Sequence, residues 1–193
     1  MQSVCVFAGS SSGARSEYAI EAAALGQAIA TRGWTLVYGG GNVGLMGVLA
    51  DAALSAGGKV VGVIPRALVA KELAHAHLSE LHVVESMHER KALMAERADG
   101  VIALPGGFGT LEEWFEVLTW SQLGLHAKPC GLLNVAGYYE PLLALLDHMV
   151  AERFVRGPHR DMIVAAASCA ELLVAMGEFR APSVPKWIDR AAT

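Results

Sequence analysis

The stretch Val101-Ile-Ala-Leu-Pro-Gly-Gly-Phe-Gly-Thr-Leu-Glu-Glu113 contains the features that decide the fold of this chain. Its apolar run, Val101–Leu104, has no period of two, which is typical of a strand that is buried on both faces. Glycines follow the run at once, and an apolar helical pattern begins near Thr110. A strand, a glycine turn and a helix in this order predict one unit of a parallel α/β sheet.

The same order recurs along the chain, with glycine-rich stretches also at residues 8–13 and 38–44. Alternating strands and helices require right-handed crossovers, which place helices on both faces of a parallel sheet. We therefore predict a Rossmann-like, doubly wound α/β fold with three layers, α/β/α. The candidate strands are Val4–Ala8, Thr35–Tyr38, Val60–Ile64, Leu81–Val84, Val101–Leu104, Gly131–Asn134 and Met162–Ala165.

Residues that begin or end helices support this division of the chain. A Ser or Thr followed three positions later by Glu predicts a capping box at Ser86 with Glu89, Thr110 with Glu113, and Ser168 with Glu171. Pro141 suits a first helical turn, and Gly33 and Gly57 suit helix ends. Residues 1–181 are predicted to form a single nucleotide-binding domain, and residues 182–193 a C-terminal tail.

The composition restricts the class of partner. The formal net charge is −4, and no Lys/Arg cluster provides the basic surface that nucleic acid requires. The N-terminus lacks the basic region of a signal peptide, and the longest apolar stretch, residues 162–176, is too short to cross a bilayer. Cys5, Cys130 and Cys169 lie in apolar runs, which favours free thiols in a reducing compartment. We expect a cytoplasmic protein that binds neither membranes nor nucleic acid.

The glycine-rich stretches predict a phosphate site. The carboxyl ends of parallel strands share one edge of the sheet, where open α/β sheets bind ligands. Glycines let the backbone approach closely, and N–H groups at a helix start carry partial positive charge. Ser10, Gly40, Gly41 and Thr110 are candidate contacts. The alternative, that these glycines only form tight turns, is weakened because three such stretches share one edge.

A dinucleotide cofactor is a minor alternative. Gly39, Gly41 and Gly44 match the pattern G-x-G-x-x-G, but they follow the second strand, and the next strand ends at Ile64-Pro65 without an acidic residue. The chain has no G-K-[ST] sequence, which excludes a P-loop. We therefore predict that no cofactor is required.

Charged residues are predicted to converge on this edge. Arg90 and Lys91 begin one helix, and Glu112 and Glu113 begin the next. Each has a simpler interpretation, since Glu113 completes a capping box and the basic pair suits a solvated helix face. The combination of a carboxylate, a guanidinium and a phosphate loop favours catalysis.

The segments Met87-His-Glu-Arg-Lys91 and Pro105-Gly-Gly-Phe-Gly-Thr-Leu-Glu-Glu113 resemble the LOG family. These proteins are cytokinin riboside 5′-monophosphate phosphoribohydrolases, long mislabelled as lysine decarboxylases. The similarity extends to residues 39–47 and 128–139, and Phe108 stands where the family more often has Tyr. The resemblance implies a homodimer with a site built from both subunits, which hydrolyses AMP or an N6-modified AMP to the base and ribose 5-phosphate.

By position, Arg90 and Glu113 match the catalytic pair of the family. The implied substrate contacts are Glu72, Lys91, Gly106, Gly107, Phe108, Gly109, Thr110, Leu111, Glu112 and Thr119. Positive charge develops on the sugar when the bond of an N-riboside is cleaved. Glu113 can either stabilise that charge or activate the attacking water. Arg90 is permanently protonated, so it is better suited to orient Glu113 or to hold phosphate. The group that protonates the leaving base, the preferred base and the physiological role stay open.

Three other functions compete with hydrolysis. A metal site is disfavoured, because His75 and His77 have no third ligand at a suitable spacing. Lysine decarboxylation is rejected, because it would normally need pyridoxal phosphate on a lysine and only Lys91 lies near the predicted site. A non-catalytic nucleotide or cofactor carrier stays open, since it needs the glycine loops but not both Arg90 and Glu113.

A homodimer is also predicted from the residues themselves. The predicted helix at residues 111–123 has apolar side chains around nearly its whole circumference. Such a helix must be buried on more than its core side.

Overall fold

A computed structural model of the chain describes residues 1–69 and 74–182. Within these residues seven parallel strands form one sheet. The strands are β1 (Ser3–Phe7), β2 (Thr35–Tyr38), β3 (Lys59–Pro65), β4 (Glu80–Val84), β5 (Gly100–Ala103), β6 (Cys130–Leu133) and β7 (Ile163–Ala166). The helices are α1 (Ser16–Thr31), α2 (Gly44–Ser55), α3 (Arg66–Val69), α4 (Met87–Glu96), α5 (Phe108–Gln122), α6 (Glu140–Ala151), α7 (Gly157–Arg160) and α8 (Cys169–Glu178), with a 3₁₀ turn at Val135–Gly137.

The strand order places a topological switch point in the middle of the sheet. The order is β4-β3-β2-β1-β5-β6-β7, so the chain moves outward from β1 in one direction and later returns beside it as β5. Phe7 at the end of β1 is in register with Ala103 at the end of β5. The loops that follow these strands therefore leave the sheet side by side, the position at which open α/β sheets bind ligands.

Alternating strand residues point into two separate apolar layers. Val4 and Val6 pack with α1, α2 and α8 on one face, and Cys5 and Phe7 pack with α4, α5 and α6 on the other. Both layers are fully buried at these positions, with exposed fractions of 2% or less. The doubly wound, three-layer α/β fold predicted from the sequence is confirmed. All seven predicted strands are present, with ends within one residue of their predicted positions.

Two of the three predicted capping boxes are confirmed at the N-cap side chain. Ser86 accepts a hydrogen bond from the Glu89 N–H at 3.1 Å and begins α4. Ser168 accepts one from the Glu171 N–H at 3.4 Å and begins α8. The predicted ends at Gly33 and Gly57 are confirmed as well, since their φ angles of 70° and 76° are left-handed and favour glycine.

The capping box predicted at Thr110 with Glu113 is wrong. Helix α5 begins at Phe108, and its N-cap is Gly107, which has no side chain to offer. Thr110 lies inside the first turn and is buried. The helix begins three residues earlier than predicted because the backbone of the glycine loop already adopts helical geometry, which a pattern of apolar side chains does not reveal.

Two predictions remain to be compared with the structure: the absence of a membrane-spanning segment and the C-terminal tail. No helix in residues 1–69 or 74–182 combines the length and apolarity that a membrane crossing requires. Of the predicted tail, residues 183–193 lie outside the described residues, so the tail stays a prediction.

Candidate active site

A cavity of about 270 Å³ lies at the switch point between β1 and β5. Its lining comes from the loops after these two strands, from the start of α2, and from two tyrosines. The lining residues are Gly9, Ser10, Ser11, Ser12, Gly13, Tyr18, Leu45, Pro105, Gly106, Gly107 and Tyr138. Two of the three predicted glycine loops thus form one concave surface, where the hydroxyls of Ser10, Ser11 and Ser12 and the backbone N–H groups of the loops are available as donors to an anion.

The loops are fixed to each other by backbone contacts that require glycine. The Gly9 N–H donates to the Pro105 carbonyl at 3.2 Å, and the Gly9 carbonyl accepts from the Leu45 N–H at 3.0 Å. Gly44 adopts a φ of +56°, and a Cβ there would collide with the backbone of Ser10. Larger residues would force these loops apart, so the cavity depends on the missing side chains.

The N-terminus of α5 opens beside the same cavity. Gly107, its N-cap, makes no side-chain capping bond, and Phe108 at the first helical position is 94% exposed. The N–H groups of this first turn have no carbonyl partner within the helix, so they are free to bind an anion. Thr110 packs beneath Gly106, where a Cβ on Gly106 would collide with its hydroxyl.

Arg90 and Glu113 form a buried ion pair. Arg90 Nη1 lies 3.8 Å from Glu113 Oε1, and the two residues are only 6% and 9% exposed. Helix α4 supplies the guanidinium and α5 the carboxylate, so the pair joins the starts of both helices. The structure therefore brings together the two residues that the sequence predicted as catalytic.

The position of the Arg90 guanidinium depends on Gly39. Arg90 Nη2 donates to the Gly39 carbonyl at 3.4 Å, and a Cβ on Gly39 would overlap the guanidinium. Arg90 Nε is buried and has no hydrogen-bond partner among the described residues. A buried donor without an acceptor is costly, and an oxygen of a bound ligand would satisfy it.

Lys91 makes a second buried ion pair beside the first. Its Nζ lies 2.5 Å from Glu112 Oε1 and 3.0 Å from Glu116 Oε2, while the residue is 4% exposed. Burial lowers the pKa of Lys91, but the hydrogen bonds and charges of Glu112 and Glu116 outweigh it and raise the pKa above its ordinary value. Lys91 is therefore a charged ammonium fixed between α4 and α5.

Cys5 lies in the sheet near the Arg90–Glu113 pair and is not a nucleophile. Its pKa is strongly raised, first by complete burial and then by the negative charge of Glu113. A thiol with a raised pKa stays protonated at neutral pH, and only the thiolate attacks. The chemistry of this edge is therefore left to carboxylates, to donors of hydrogen bonds and to water.

Only some of the other predicted substrate contacts lie at the cavity or in the first turn of α5. Ser10, Gly106 and Gly107 line the cavity, and Gly109 and Leu111 lie in the first turn of α5. Gly40 and Gly41 are buried and do not line the cavity. The Gly40 carbonyl accepts a hydrogen bond from the His75 N–H at 3.0 Å, and Gly41 forms an isolated β-bridge with Ala74. Glu72 lies outside the described residues.

Thr119 lies apart from the loop on which the other contacts converge. It follows Thr110 by nine residues along α5, which at 1.5 Å per residue is about 13 Å. Its hydroxyl donates to the Phe115 carbonyl at 2.7 Å. Within one chain, Thr119 therefore lies far along the helix from the first turn of α5, where the other predicted contacts of this helix are found.

The sequence did not identify Tyr18, Gly39, Glu116 and Tyr138 as residues of the site. Tyr138 donates from its hydroxyl to the Gly106 carbonyl at 2.6 Å, and its ring lies edge-on to Tyr18 at 5.7 Å. Gly39 was identified as part of a loop but not as the neighbour of Arg90, and Glu116 gave no signal beyond its position one turn after Glu112.

A metal centre finds no support in the described part of the chain. No group of three or more His, Cys, Asp or Glu residues there has a geometry that could hold an ion. His75 instead contacts Asp51, with 2.9 Å between Nε2 and Oδ1.

Sequence comparison identifies close relatives of known description. A family model described as "Possible lysine decarboxylase" matches residues 46–176. A probable cytokinin riboside 5′-monophosphate phosphoribohydrolase of Oryza sativa subsp. japonica is 52% identical over 91% of this chain and 79% of its own length. A cytokinin riboside 5′-monophosphate phosphoribohydrolase of Rhodococcoides fascians is 52% identical over 94% of this chain and 90% of its own.

Solved structures with the same fold include proteins of a different description. A molybdenum cofactor carrier protein of Chlamydomonas reinhardtii superimposes with a TM-score of 0.69 at 24% identity, over 91% of this chain and 96% of that one. A molybdenum cofactor binding protein of Rippkaea orientalis gives a TM-score of 0.68 at 25% identity, over 91% and 95%. These similarities support the fold, whereas the sequence relatives share half of their residues with this chain.

Proposed function

We propose that this chain, which belongs to the LOG family, hydrolyses the N-glycosidic bond of a nucleoside 5′-monophosphate and releases the free base and ribose 5-phosphate. The observation that supports this most directly is the buried Arg90–Glu113 pair beside an open helix N-terminus. The names of the relatives add the substrate class, a cytokinin riboside 5′-monophosphate, in which the base is an N6-modified adenine.

The 5′-phosphate is assigned to the start of α5 and the adjoining loops. The backbone N–H groups of Gly107 to Thr110 and the hydroxyl of Ser10 provide donors without requiring a net positive surface. This matches a chain whose formal net charge is −4. Binding energy from the phosphate can then be used to position the reacting bond at the far end of the ribose.

The chemical step is assigned to Glu113. Water attacks C1′ of the ribose, the C1′–N9 bond breaks, and its electron pair leaves with the base while positive charge develops on the sugar. A buried carboxylate stabilises that charge and can accept the proton that water loses. The departing base receives a proton in turn, so the net reaction consumes one water molecule.

Arg90 orients the carboxylate and neutralises its charge. A guanidinium does not release its proton at physiological pH, so it does not serve as the general acid. Its buried Nε, which has no partner among the described residues, is available to an oxygen of the substrate.

Thr119 supports a homodimer whose sites use both subunits. It matches a substrate contact of the family, yet it lies about 13 Å along α5 from Thr110. In a dimer, Thr119 of one subunit would serve the site of the other. Exposed apolar residues next to it, Leu123 at 42% and Leu125 at 68%, are suited to burial at such an interface.

A cytoplasmic location is likewise a proposal, supported by the free thiols of Cys5, Cys130 and Cys169.

Lysine decarboxylation, which the description of the family model suggests, does not suit this site. A Schiff-base lysine must be neutral to attack a carbonyl. Lys91 is instead held as an ammonium by two carboxylates. Its environment therefore opposes the chemistry that the description names.

A non-catalytic carrier is the weaker alternative. The molybdenum cofactor carrier of Chlamydomonas reinhardtii shares the fold, but at 24% identity the likeness extends to the fold alone. A carrier needs the glycine loops and has no use for a buried Arg90–Glu113 pair.

One incubation separates the two functions. The pure protein is mixed with AMP or with N6-isopentenyladenosine 5′-monophosphate, and the products are separated by chromatography. The hydrolase releases base and ribose 5-phosphate in equal amounts, whereas a carrier returns the nucleotide intact.

A further inference from the structure

We propose that Glu116 is a positioning residue for the reaction: it holds Lys91 in place, and Glu112 is thereby free to exchange Lys91 for the substrate. The inference rests on the proposed function and extends it to a residue that neither the sequence motifs nor the family resemblance assigned.

The first observation is that Lys91 has two carboxylate partners of different exposure. The Glu112 side chain is 57% exposed and the Glu116 side chain 27%, while the Lys91 side chain is 5% exposed. Glu112 is therefore the carboxylate that is open to solvent, and Glu116 is the more buried of the two. A buried ammonium that lost its only partner would be strongly destabilised, so one carboxylate must stay.

The second observation is the spacing along α5. Glu112 and Glu116 are four residues apart, which places both on one face of the helix, toward Lys91 of α4. Glu113, the next residue after Glu112, faces Arg90, which is adjacent to Lys91. Two neighbouring residues of α4 are thus bound to three carboxylates of one α5 segment.

This arrangement links the Lys91 pair to the reacting carboxylate. The Lys91–Glu116 ion pair of 3.0 Å joins α4 to α5 one residue along α4 from the Arg90–Glu113 pair, whose separation is 3.8 Å. We therefore expect the loss of the first ion pair to change the separation in the second. Misplacement of a reacting group by about 1 Å can lower a rate by about 100-fold. Glu116 therefore acts on turnover through Arg90 and Glu113 without touching the substrate.

The test compares Glu116→Gln with Glu112→Gln, with Glu178→Gln as the control at an exposed glutamate of α8. In Glu116→Gln, Lys91 keeps only Glu112. We expect kcat to fall by about 10-fold to 100-fold and KM to stay within about threefold. In Glu112→Gln we expect KM to rise more than kcat falls, because Glu116 still holds Lys91. Glu178→Gln should match the wild type.

Hydrogen exchange of the amides at residues 86–91 provides a readout that needs no turnover. Exchange should be faster by about threefold or more in Glu116→Gln than in Glu112→Gln, since only the first variant loosens the start of α4. Equal exchange and equal kinetics in the two variants would overturn the role of Glu116. If the wild-type protein released no base, the proposed function would fail, and the exchange experiment would still decide which carboxylate holds Lys91.

Discussion

At the scale of single residues, one substitution of Glu113 distinguishes a catalytic role of this residue from a purely structural one. The sequence left open whether this glutamate closes a capping box or reacts. The structure removes the first possibility, because the N-cap of α5 is Gly107 and Glu113 is buried beside Arg90.

We expect Glu113→Gln to lower kcat by about two orders of magnitude or more, because an amide neither stabilises a ribosyl cation nor accepts a proton. The free energy of unfolding should fall by about 1–3 kcal/mol, since the buried charge of Arg90 loses its counter-charge. Single-turnover base release and thermal melting of the same preparation measure both effects. Wild-type turnover in this variant would show that Glu113 is not catalytic.

Gly39→Ala tests the position of Arg90 without removing a functional group. The added methyl would overlap the far end of the Arg90 side chain, which is flexible enough to move aside. We therefore expect a folded protein whose kcat is reduced by about 10-fold or more. Gly177→Ala in α8, where a Cβ meets no atom within 4 Å, is the matched control and should retain full activity. Equal activity of the two variants would contradict the role of Gly39.

At the scale of secondary structure elements, the open start of α5 predicts that the substrate needs its phosphate. Gly107 leaves the first-turn N–H groups without a side-chain cap, and Gly106 and Gly9 allow the two loops to meet. An uncapped helix start next to a cavity is a site that an anion completes.

Adenosine should therefore react far more slowly than AMP, by about 100-fold or more in kcat/KM, because the phosphate contacts position the reacting bond. Steady-state rates for AMP, N6-isopentenyladenosine 5′-monophosphate and the corresponding nucleosides provide the comparison. Nucleosides that react as fast as nucleotides would place the phosphate outside the site.

The elements also show what the sequence could predict. All seven strands were found because a strand covered on both faces needs a continuous apolar run, a property that is local in sequence. Arg90 and Glu113 were found through motifs at two helix starts. Their separation of 3.8 Å, and the contact of Arg90 with Gly39, depend on how α4 lies relative to α5 and to the loop after β2. Such contacts between distant segments leave no local pattern, and for that reason Glu116 and Tyr138 were missed.

At the scale of the whole molecule, α5 carries both the proposed catalytic carboxylate and an apolar surface that the single chain covers only in part. Its inner face is anchored by Trp114, which is fully buried and donates to the Gly131 carbonyl at 3.0 Å. Leu111, Phe115 and Leu118 are only half-buried in the single chain, although the sequence required this apolar helix to be covered on more than one side.

We expect a homodimer in solution, with a mass about twice that of the 20.3 kDa chain. Light scattering after size exclusion measures it. Thr119→Ala, which removes a hydroxyl from an exposed position, should weaken substrate binding and leave the dimer intact. A protein that is monomeric at all concentrations and still active would contradict a site shared between subunits.

The most direct measurement for the whole molecule is the stoichiometry of products from N6-isopentenyladenosine 5′-monophosphate. Base and ribose 5-phosphate are quantified together after incubation with the wild-type protein and with Glu113→Gln. We expect one base and one ribose 5-phosphate for each nucleotide consumed by the wild type, and a rate lower by about two orders of magnitude in the variant. Bound nucleotide recovered intact from the wild-type protein, with no base released, would contradict hydrolysis and favour a carrier.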